Sequence, residues 1–341
     1  SEFLQRSMNQ GETWERISGD LTNGAKEGNV AFGTISTISE SKFQFGLLYT
    51  GSDDGKIHVS KDGGVSWQLI SGNLPQNLWV SRVVASSHKK ERVYVTLNGY
   101  RNDNFESYAY VSEDFGATWT SISNGLTQAV NVIVEDSANE NILYVGTDNG
   151  LFISIDKGVN WQDFSNGMPK VAIHDAVIQT KAKELIVGTH GRSIYKMDIS
   201  KVQELTKDVL AKNLHLFKVN DRTKSERWGS QNYAWGKPSE PSQTIWFYSN
   251  ADGIVNVSIT NEAGMLVHAQ KVEAKKGLNS FAYNYLLSKE VAEKWNKKDK
   301  NIKIKEAENK KFYLPVGKYK MTVSKDKVTE TKSFEVTAPK K

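Results

Sequence analysis

Apolar residues in the first half of the chain fall in short runs separated by turn sequences. Residues 48–50 and 57–59 are two such runs, and the Gly-Ser-Asp-Asp-Gly segment 51–55 between them has the composition of a hairpin turn. Residues 34–39 alternate between apolar and polar positions before these runs, and 67–70 form a fourth segment after them. The pattern therefore predicts four short antiparallel strands in succession, which make up one propeller blade.

The spelling Ser-x-Asp-x-Gly-x-x-Trp recurs along the same part of the chain. Three copies match it fully, and a fourth, degenerate copy has Asn in place of Asp. The four copies occupy residues 7–14, 60–67, 112–119 and 154–161. Their spacing of about 40–55 residues is the period expected of propeller blades rather than of helical arrays.

We expect the residues of this repeat to have structural roles. Asp62 can accept N–H bonds across the turn, Gly64 can take a conformation that a Cβ opposes, and Trp67 can bury its ring under the hairpin. The alternative is that Asp62, Asp114 and Asp156 are catalytic acids or calcium ligands. That alternative is disfavoured because a catalytic group is needed once per site, whereas these occur once per blade. The predicted structural set is Ser60, Asp62, Gly64, Trp67, Ser112, Asp114, Gly116, Trp119, Ser154, Asp156, Gly158 and Trp161.

The repeat spacing divides the first 199 residues into blades. Residues 1–20 supply the last two strands of one blade, and 171–199 supply three strands of another. Full blades are expected at 30–72, 78–124 and 128–166. The chain thus holds about four blade equivalents, and we expect further blades upstream in the same protein or in a partner chain. A four-bladed ring closed by this chain alone is the alternative.

The second half of the chain has a different pattern. Residues 200–215 have helical spacing and predict one or two short helices, and 218–242 are polar with interspersed Trp228, Tyr233 and Trp235. Alternation returns afterwards and predicts strands at 244–248, 253–260, 265–273, 278–285, 317–324 and 331–336, with a lysine-rich insertion at 289–311 that could begin with a helical turn at 288–295. The predicted domains are propeller blades at 1–199, a helical and extended linker at 200–242, and a small immunoglobulin-like β-sandwich at 243–341.

Composition excludes several classes of function. The 44 basic and 39 acidic residues give a net charge of +5, which is weak for nucleic-acid binding. The absence of cysteine excludes disulfides and cysteine zinc sites, and no apolar run approaches the roughly 18 residues of a membrane-spanning helix. The six histidines lack the spacing of zinc ligands, and no glycine-rich phosphate loop is present. We therefore expect no metal, no cofactor and no nucleic-acid partner.

We call each copy of the Ser-x-Asp-x-Gly-x-x-Trp repeat a box. The sequence predicts ligand binding on the propeller face opposite the hairpins that carry the boxes. The hairpins between the second and third strands open on this face, together with the loops that join blades. Its candidate ligand-binding residues are Trp79, Arg82, Asp148, His174, His190 and Arg192, and other polar or aromatic positions there are Asn98, Tyr100, Arg101, Asn131 and Asn149. Arg82 and Arg192 could grip an anionic group.

Structural and catalytic interpretations of these residues stay open alongside ligand binding. His174 and Asp175 could tie a strand entry to its neighbour while Arg192 pairs with a carboxylate. Alternatively, Asp175 could act as a general acid or base together with Asp53 or Asp54. A glycosidase needs two carboxyls roughly 5–10 Å apart, a distance that sequence does not give.

The repeat resembles the Asp-box, or BNR repeat, of sialidases, sortilin-type receptor propellers and oligoxyloglucan-releasing glycosidases. Residues 3–199 look most like the bacterial sortilin-like or BNR glycosyl hydrolase-like proteins, in the phrases at 143–152, 173–177 and 185–194. The resemblance implies an Asp-box propeller, with seven blades per closed ring. A true sialidase would need an arginine triad and a tyrosine nucleophile, and no assembled set is found. The phrases at 255–264, 277–279 and 314–319 resemble FlgD-like C-terminal sandwiches of bacterial surface proteins.

Three functional hypotheses follow from the motifs and the resemblance. The preferred one is a non-catalytic binding or scaffold region of an exported bacterial protein, with a peptide, protein or glycan on the loop face of the propeller. The second is part of a two-propeller glycoside hydrolase acting on polysaccharide, and the third is a subunit of a cell-envelope assembly. The resemblance implies an extracytoplasmic location, at the cell surface, in the periplasm or secreted.

Overall fold

The structure, a computed structural model, describes residues 1–24, 33–165, 167–231, 235–300 and 302–339. The predicted blade boundaries at 30 and 166 and the linker residue Tyr233 lie outside these ranges. The chain forms two compact units, Ser1–Gln203 and Glu204–Lys341. The predicted domain boundaries, including the linker at 200–242, remain predictions.

Small antiparallel sheets make up the first unit. A two-stranded sheet comes first, formed by β1 (Gln5–Arg6) and β2 (Glu15–Arg16). Three four-stranded blades follow. The first consists of β3 (Ile35–Glu40), β4 (Leu48–Ser52), β5 (Ile57–Ser60) and β6 (Gln68–Leu69), and the second of β7 (Trp79–Ala85), β8 (Val93–Gly99), β9 (Asn104–Ser112) and β10 (Thr120–Ser121). The third consists of β11 (Val130–Glu135), β12 (Leu143–Thr147), β13 (Gly150–Ser154) and β14 (Gln162–Asp163). A three-stranded blade ends the unit, with β15 (Ile173–Gln179), β16 (Glu184–Thr189) and β17 (Ile194–Asp198).

The second strand of each full blade shows why the blades stack. Strands β4, β8 and β12 are buried along their whole length, which requires a covered surface on both faces. In the last blade, β16 buries only alternate residues, Leu185 and Val187. Such alternation is typical of a sheet that is covered on one face. The first unit is therefore a partial propeller of about four blade equivalents, as the repeat spacing predicts.

Apolar side chains between adjacent blades form the core of this unit. Tyr49 and Val59 of one blade belong to a buried cluster with Val83 and Val95 of the next. A second cluster joins Tyr94 to Ile133 and Val145 of the following blade, among other residues. Because each cluster lies between two blades, a blade without its neighbour would expose one side of its core.

The innermost strand of every described blade contains a bulge at the same position. The register with the second strand shifts at Ser36, Ser81, Asn131 and His174. A β-bulge bends its strand and re-aims the extra side chain. Two of these bulge residues join neighbouring blades: the Ser36 hydroxyl donates to the Val80 carbonyl at 2.8 Å, and the Ser81 hydroxyl donates to the Val130 carbonyl at 3.0 Å.

The second unit contains two larger sheets that share one core. One sheet has the order β18 (Leu214–Leu216), β20 (Gln243–Ser249), β23 (Gly277–Tyr283), and the other has the order β19 (Arg222–Thr223), β27 (Val328–Thr337), β26 (Gly317–Lys325), β21 (Gly253–Asn261), β22 (Leu266–Ala274). A short pair, β24 (Leu286–Leu287) and β25 (Phe312–Tyr313), accompanies them. Both sheets contribute to one buried cluster that includes Phe247, Tyr283, Tyr319 and Phe334, with the Tyr319 and Phe334 rings stacked at 5.4 Å. The small immunoglobulin-like β-sandwich at 243–341 remains a prediction.

Helices are few and short among the described residues. Helical spacing at 200–215 predicts one or two helices, and the structure has α1 (Ser200–Gln203) and α2 (Lys207–Leu210), with the residues from Leu214 forming a strand instead. The lysine-rich insertion holds a longer helix than the single turn expected there, α3 (Lys289–Lys298). The Ser288 hydroxyl caps its first turn, and its Trp295 ring is buried in the core that the two sheets share.

Candidate functional site

The box hairpins are closed by their own side chains. The Ser60 hydroxyl donates to Asp62 Oδ1 at 2.8 Å and accepts the Gly64 N–H at 2.8 Å, and both Asp62 oxygens accept bonds from Ser66. The equivalent bonds recur in the boxes at 112–119 and 154–161. Hydrogen bonds, chiefly from the hydroxyl four residues on, lower the pKa of Asp62 and of Asp114 to about 2. The box carboxylates are thus engaged within their own turns.

On the other face, the first residue of the hairpin after the second strand has the same position and the same backbone hydrogen bond in three blades. The backbone N–H of Asp53 donates to the Thr34 carbonyl, that of Asp148 to the Ala129 carbonyl, and that of His190 to the Ala172 carbonyl. Each bond joins a hairpin to the loop entering the innermost strand of the same blade. Asp148 and His190, two predicted ligand-binding residues, therefore occupy corresponding exposed positions in adjacent blades.

The predicted residues of the last blade lie near one another, and one of them pairs with an arginine from another blade. The His174 and His190 rings are 5.3 Å apart, and both are exposed. Arg82 Nη2 of β7 contacts Asp175 Oδ1 of β15 at 2.7 Å, linking the innermost strands of blades two apart. Arg82 therefore carries a carboxylate partner from its own chain, while Arg192 is exposed.

Asp53 and Asp54, the other candidate acids, are buried and hydrogen bonded. Asp53 accepts the Thr34 N–H at 2.9 Å and the Arg101 guanidinium at 3.1 Å. Asp54 accepts the Ser52 hydroxyl and the Asn23 N–H. Since their oxygens are committed to these donors, both carboxylates act as supports for the loop face in this arrangement.

An aromatic surface lies at the hairpin between β8 and β9, which includes a 3₁₀ turn at Tyr100–Asn102. The Trp79 and Tyr100 rings meet edge to face at 6.0 Å, and the Arg101 guanidinium lies 5.5 Å from the Trp79 ring. Tyr100 is 47% exposed and Phe105 is 58% exposed. Trp79, Tyr100, Arg101 and Phe105 form what we call the aromatic hairpin surface.

The aromatic hairpin surface is held in place by bonds to both neighbouring blades. Arg101 reaches Asp53 of the preceding blade, as described above. The Tyr100 N–H donates to Asn98 Oδ1, the Asn98 amide donates to Asn131 of the following blade at 2.7 Å, and Asn131 donates to Asp148 at 2.8 Å. These bonds fix the backbone that carries the rings, so the surface is preorganised before any ligand arrives.

Sequence reasoning selected Trp79, Tyr100 and Arg101 but missed Phe105. The signal was the length of β9, which at Asn104–Ser112 is the longest strand of the blade and has Phe105 near its start. No group of three or more His, Cys, Asp or Glu side chains able to hold a metal ion occurs among the described residues. In the same part of the chain, no helix has both the length and the apolar character to cross a membrane.

One protein-family model matches the first part of the chain. Residues 2–129 match the family model described as Sortilin-Vps10 (sortilin, neurotensin receptor 3). Residues 2–129 are therefore similar to a sortilin-type propeller family. A comparison with curated proteins found no match.

Similar solved structures include three GH74 proteins. The GH74 enzyme of Niastella koreensis is 15% identical over 50% of this chain and 29% of its own, with a TM-score of 0.42. An ancestral GH74 enzyme is 15% identical over 84% and 36%, with a TM-score of 0.45. The GH74 xyloglucanase of Xanthomonas campestris is 11% identical over 88% and 47%, with a TM-score of 0.40. This chain spans less than half the length of each.

Proposed function

We propose that this chain is a non-catalytic binding or scaffold region of an exported, bacterial, sortilin-like BNR-repeat protein. Its ligand, a peptide, protein or glycan, would lie on the loop face of the first unit. The observation that supports this most is the aromatic hairpin surface, where exposed rings are held by bonds to both neighbouring blades. Exposed, rigid aromatic rings provide contact area at a low cost in conformational entropy.

The state of the candidate acids supports binding over hydrolysis. A glycosidase needs one carboxyl that gives a proton and a second that acts as nucleophile or base. Here Asp175 is paired with Arg82, Asp53 with Arg101, and Asp54 is buried with donors on both oxygens. Each of these three carboxylates therefore already has a partner within the chain.

Titration calorimetry with a panel of neutral oligosaccharides and unstructured peptides tests the proposal. A panel member that binds the chain should lose at least about tenfold in affinity with Tyr100→Ala or Phe105→Ala, as expected for an exposed aromatic contact. Phe43→Ala and Phe45→Ala are matched controls, because these exposed rings lie in the loop between β3 and β4, at the opposite end of the strands. Affinities unchanged by both hairpin variants would contradict the proposal.

The same panel distinguishes binding from hydrolysis. Cleavage of an oligosaccharide, abolished by Asp175→Asn and retained in Phe43→Ala, would favour the glycoside hydrolase hypothesis. An uncleaved ligand that still depends on Tyr100 and Phe105 would favour the binding region. Stability of each variant is compared by thermal unfolding, so that loss of affinity is not mistaken for loss of fold.

A second candidate, a subunit of a larger envelope assembly, is supported by the last blade. Val177 is 57% exposed and Ile194 is 72% exposed, and their registers with Ile186 and Gly188 place them on the same open sheet face. Apolar side chains on an open sheet face favour association. Sedimentation analysis of the chain with Val177→Asp and Ile194→Asp tests this, since any self-association through this face should then be lost.

A further inference from the structure

Most of the net positive charge of the chain lies in nine residues of the lysine-rich insertion. Residues 297–305 contain five lysines and one acidic residue, Asp299, so they carry a net charge of +4, whereas the whole chain carries +5. All five lysines are exposed. The function proposed for the loop face of the first unit does not use this charge.

Two hydrogen bonds hold the two ends of this run together. The Asn296 side-chain amide, near the end of α3, donates to the Ile304 carbonyl at 2.9 Å and accepts the Ile304 N–H at 2.8 Å. Ile304 is itself buried in the core of the second unit. Because Asn296 directly precedes Lys297, and Ile304 lies between Lys303 and Lys305, these bonds bring lysines of the helix end next to lysines of the following segment.

We call Lys297, Lys298, Lys303 and Lys305 the lysine ridge. In the described part of the second unit, the lysines with a carboxylate oxygen within 4 Å of their ammonium group are Lys212, Lys275 and Lys311. None of the ridge lysines is among them. The ridge therefore presents positive charge to solvent that no side chain within ion-pair distance neutralises.

Stabilisation of α3 explains only half of the ridge. Cations near the C-terminus of a helix interact favourably with its dipole, and this applies to Lys297 and Lys298. Lys303 and Lys305 lie beyond the helix, and their charges repel those of the helix end. Placing them there costs stability, which indicates that the ridge serves an external partner.

We propose that the lysine ridge binds an acidic polysaccharide, a linear chain that carries carboxylates on successive sugars. Several ammonium groups held close together complement such a series of anions and displace its counterions, as polycation binding does with other linear polyanions. The ridge belongs to the second unit. This proposal therefore does not depend on ligand binding at the loop face of the first unit.

The surroundings of the ridge favour a polysaccharide over a membrane or a nucleic acid. Stable membrane attachment needs an apolar anchor in addition to charge, and the apolar residues that accompany the ridge, Trp295 and Ile304, are buried. Trp295 is also the only aromatic residue in 289–311, so this segment offers no exposed ring on which a base could stack.

Titration calorimetry of the full chain with carboxymethyl-dextran tests the proposal, and dextran of the same length is the uncharged control probe. The chain should bind the carboxylated polymer alone, with an affinity that falls as salt is added. The double variant Lys303→Gln and Lys305→Gln should lose about tenfold or more in affinity. The matched control, Lys271→Gln with Lys276→Gln, removes two exposed lysines from β22 and the turn after it, and should bind like the unmodified chain.

The proposal is overturned if the chain does not bind carboxymethyl-dextran, or if the ridge and control variants lose the same affinity, since net charge alone would then be the cause. It is also overturned if phosphatidylglycerol vesicles or duplex DNA bind more tightly through the same lysines in the same buffer. Tyr100→Ala, on the loop face, should leave this binding unchanged. Failure of one proposal is thereby distinguished from failure of the other.

Discussion

At the scale of single residues, the box tryptophan is the side chain on which the array depends most. Its indole N–H donates a hydrogen bond to the preceding blade, and the glycine of the same box packs closely against that blade beside it. Trp14 has the same sequence context and local turn, and its ring is 62% exposed. The chain thus contains half-buried and exposed copies of one residue that can be compared.

We predict that Trp119→Ala lowers the free energy of unfolding of the first unit by about 3 kcal/mol, the lower part of the range for large aromatic truncations because the ring is half-buried. Trp14→Ala should change it by less than about 0.5 kcal/mol, as for other exposed positions. Urea unfolding followed by far-ultraviolet circular dichroism measures both. Equal losses for the two variants would contradict the blade-docking role of the indole.

The box carboxylates give the first unit a defined acid sensitivity. The pKa of Asp62 and that of Asp114 are held at about 2 in the folded chain, below the usual value near 3.9. A carboxyl whose pKa is lower in the folded than in the unfolded chain stabilises the fold at pH values above its unfolded pKa. This contribution is lost as the pH falls through the folded pKa. We predict a loss of stability between about pH 4 and pH 2, measured by urea unfolding at each pH.

Asparagine at the box positions is the matched variant for this prediction. Asn9 in the degenerate box shows that an amide oxygen accepts the same backbone N–H. The combined Asp62→Asn, Asp114→Asn and Asp156→Asn variant should therefore keep its fold near neutral pH and show a shallower decline below pH 4. A decline as steep as that of the unmodified chain would exclude the box carboxylates as its cause.

The roles of the box Ser, Asp and Gly could be assigned from sequence because these residues bond within their own eight residues, whereas the box tryptophan bonds to the preceding blade. The partners of Arg82 and Arg101 could not, since Asp175 and Asp53 lie 93 and 48 positions away and belong to other blades. The expectation that Arg82 is available to grip an anion came from the residue type alone. Its ion pair is a product of blade packing, which sequence spacing does not give.

At the scale of elements, the strands next to a blade interface carry a buried charge network. Glu135 of β11 accepts hydrogen bonds from the Ser86 hydroxyl, the Tyr94 hydroxyl and the Arg92 guanidinium. All three donors belong to the preceding blade, which contains β8. Its side chain and that of Arg92 are almost fully buried. Glu113 contacts the same arginine from a half-exposed position. Glu140 contacts it too, at 3.1 Å and partly exposed, so the network has one buried and two partly exposed partners for a single cation.

We predict that Glu135→Ala costs about 3–5 kcal/mol, because it leaves the buried Arg92 guanidinium without its buried counter-charge. Glu113→Ala should cost less than about 1 kcal/mol, since solvent replaces a half-exposed partner. Thermal or urea unfolding of the two variants gives the comparison. A cost for Glu113→Ala as large as that for Glu135→Ala would contradict the dominance of the buried partner.

The ends of strands and helices also depend partly on local sequence and partly on pairing with distant segments. The four strands of each blade follow from short apolar runs and turn residues, and their predicted order agrees with the sheets of the structure. The short strands Leu214–Leu216 and Arg222–Thr223 were not predicted, because each pairs with a strand far along the chain, at 247–249 and 336–337. Helical spacing near 214 was overridden by this pairing.

At the scale of the whole molecule, the two units differ in how they close their cores. The cores of the first unit lie between blades, so they continue wherever another blade can be added. The second unit has one core, whose members run from Leu214 to Val336 and come from both sheets and from α3. A core completed within one segment of chain is what independent folding requires.

We predict that residues 204–341 expressed alone unfold cooperatively, since the aromatic cluster around Tyr319 and Phe334 is complete within them. Phe334→Ala, which truncates a buried ring of that cluster, should lower the stability of this segment by about 3–5 kcal/mol. In the full chain the same variant should shift the transition of the second unit and leave the unfolding of the blades unchanged. Circular dichroism melts of the segment, the full chain and both variants make the test. A segment without a cooperative transition would show that its core needs residues before Glu204.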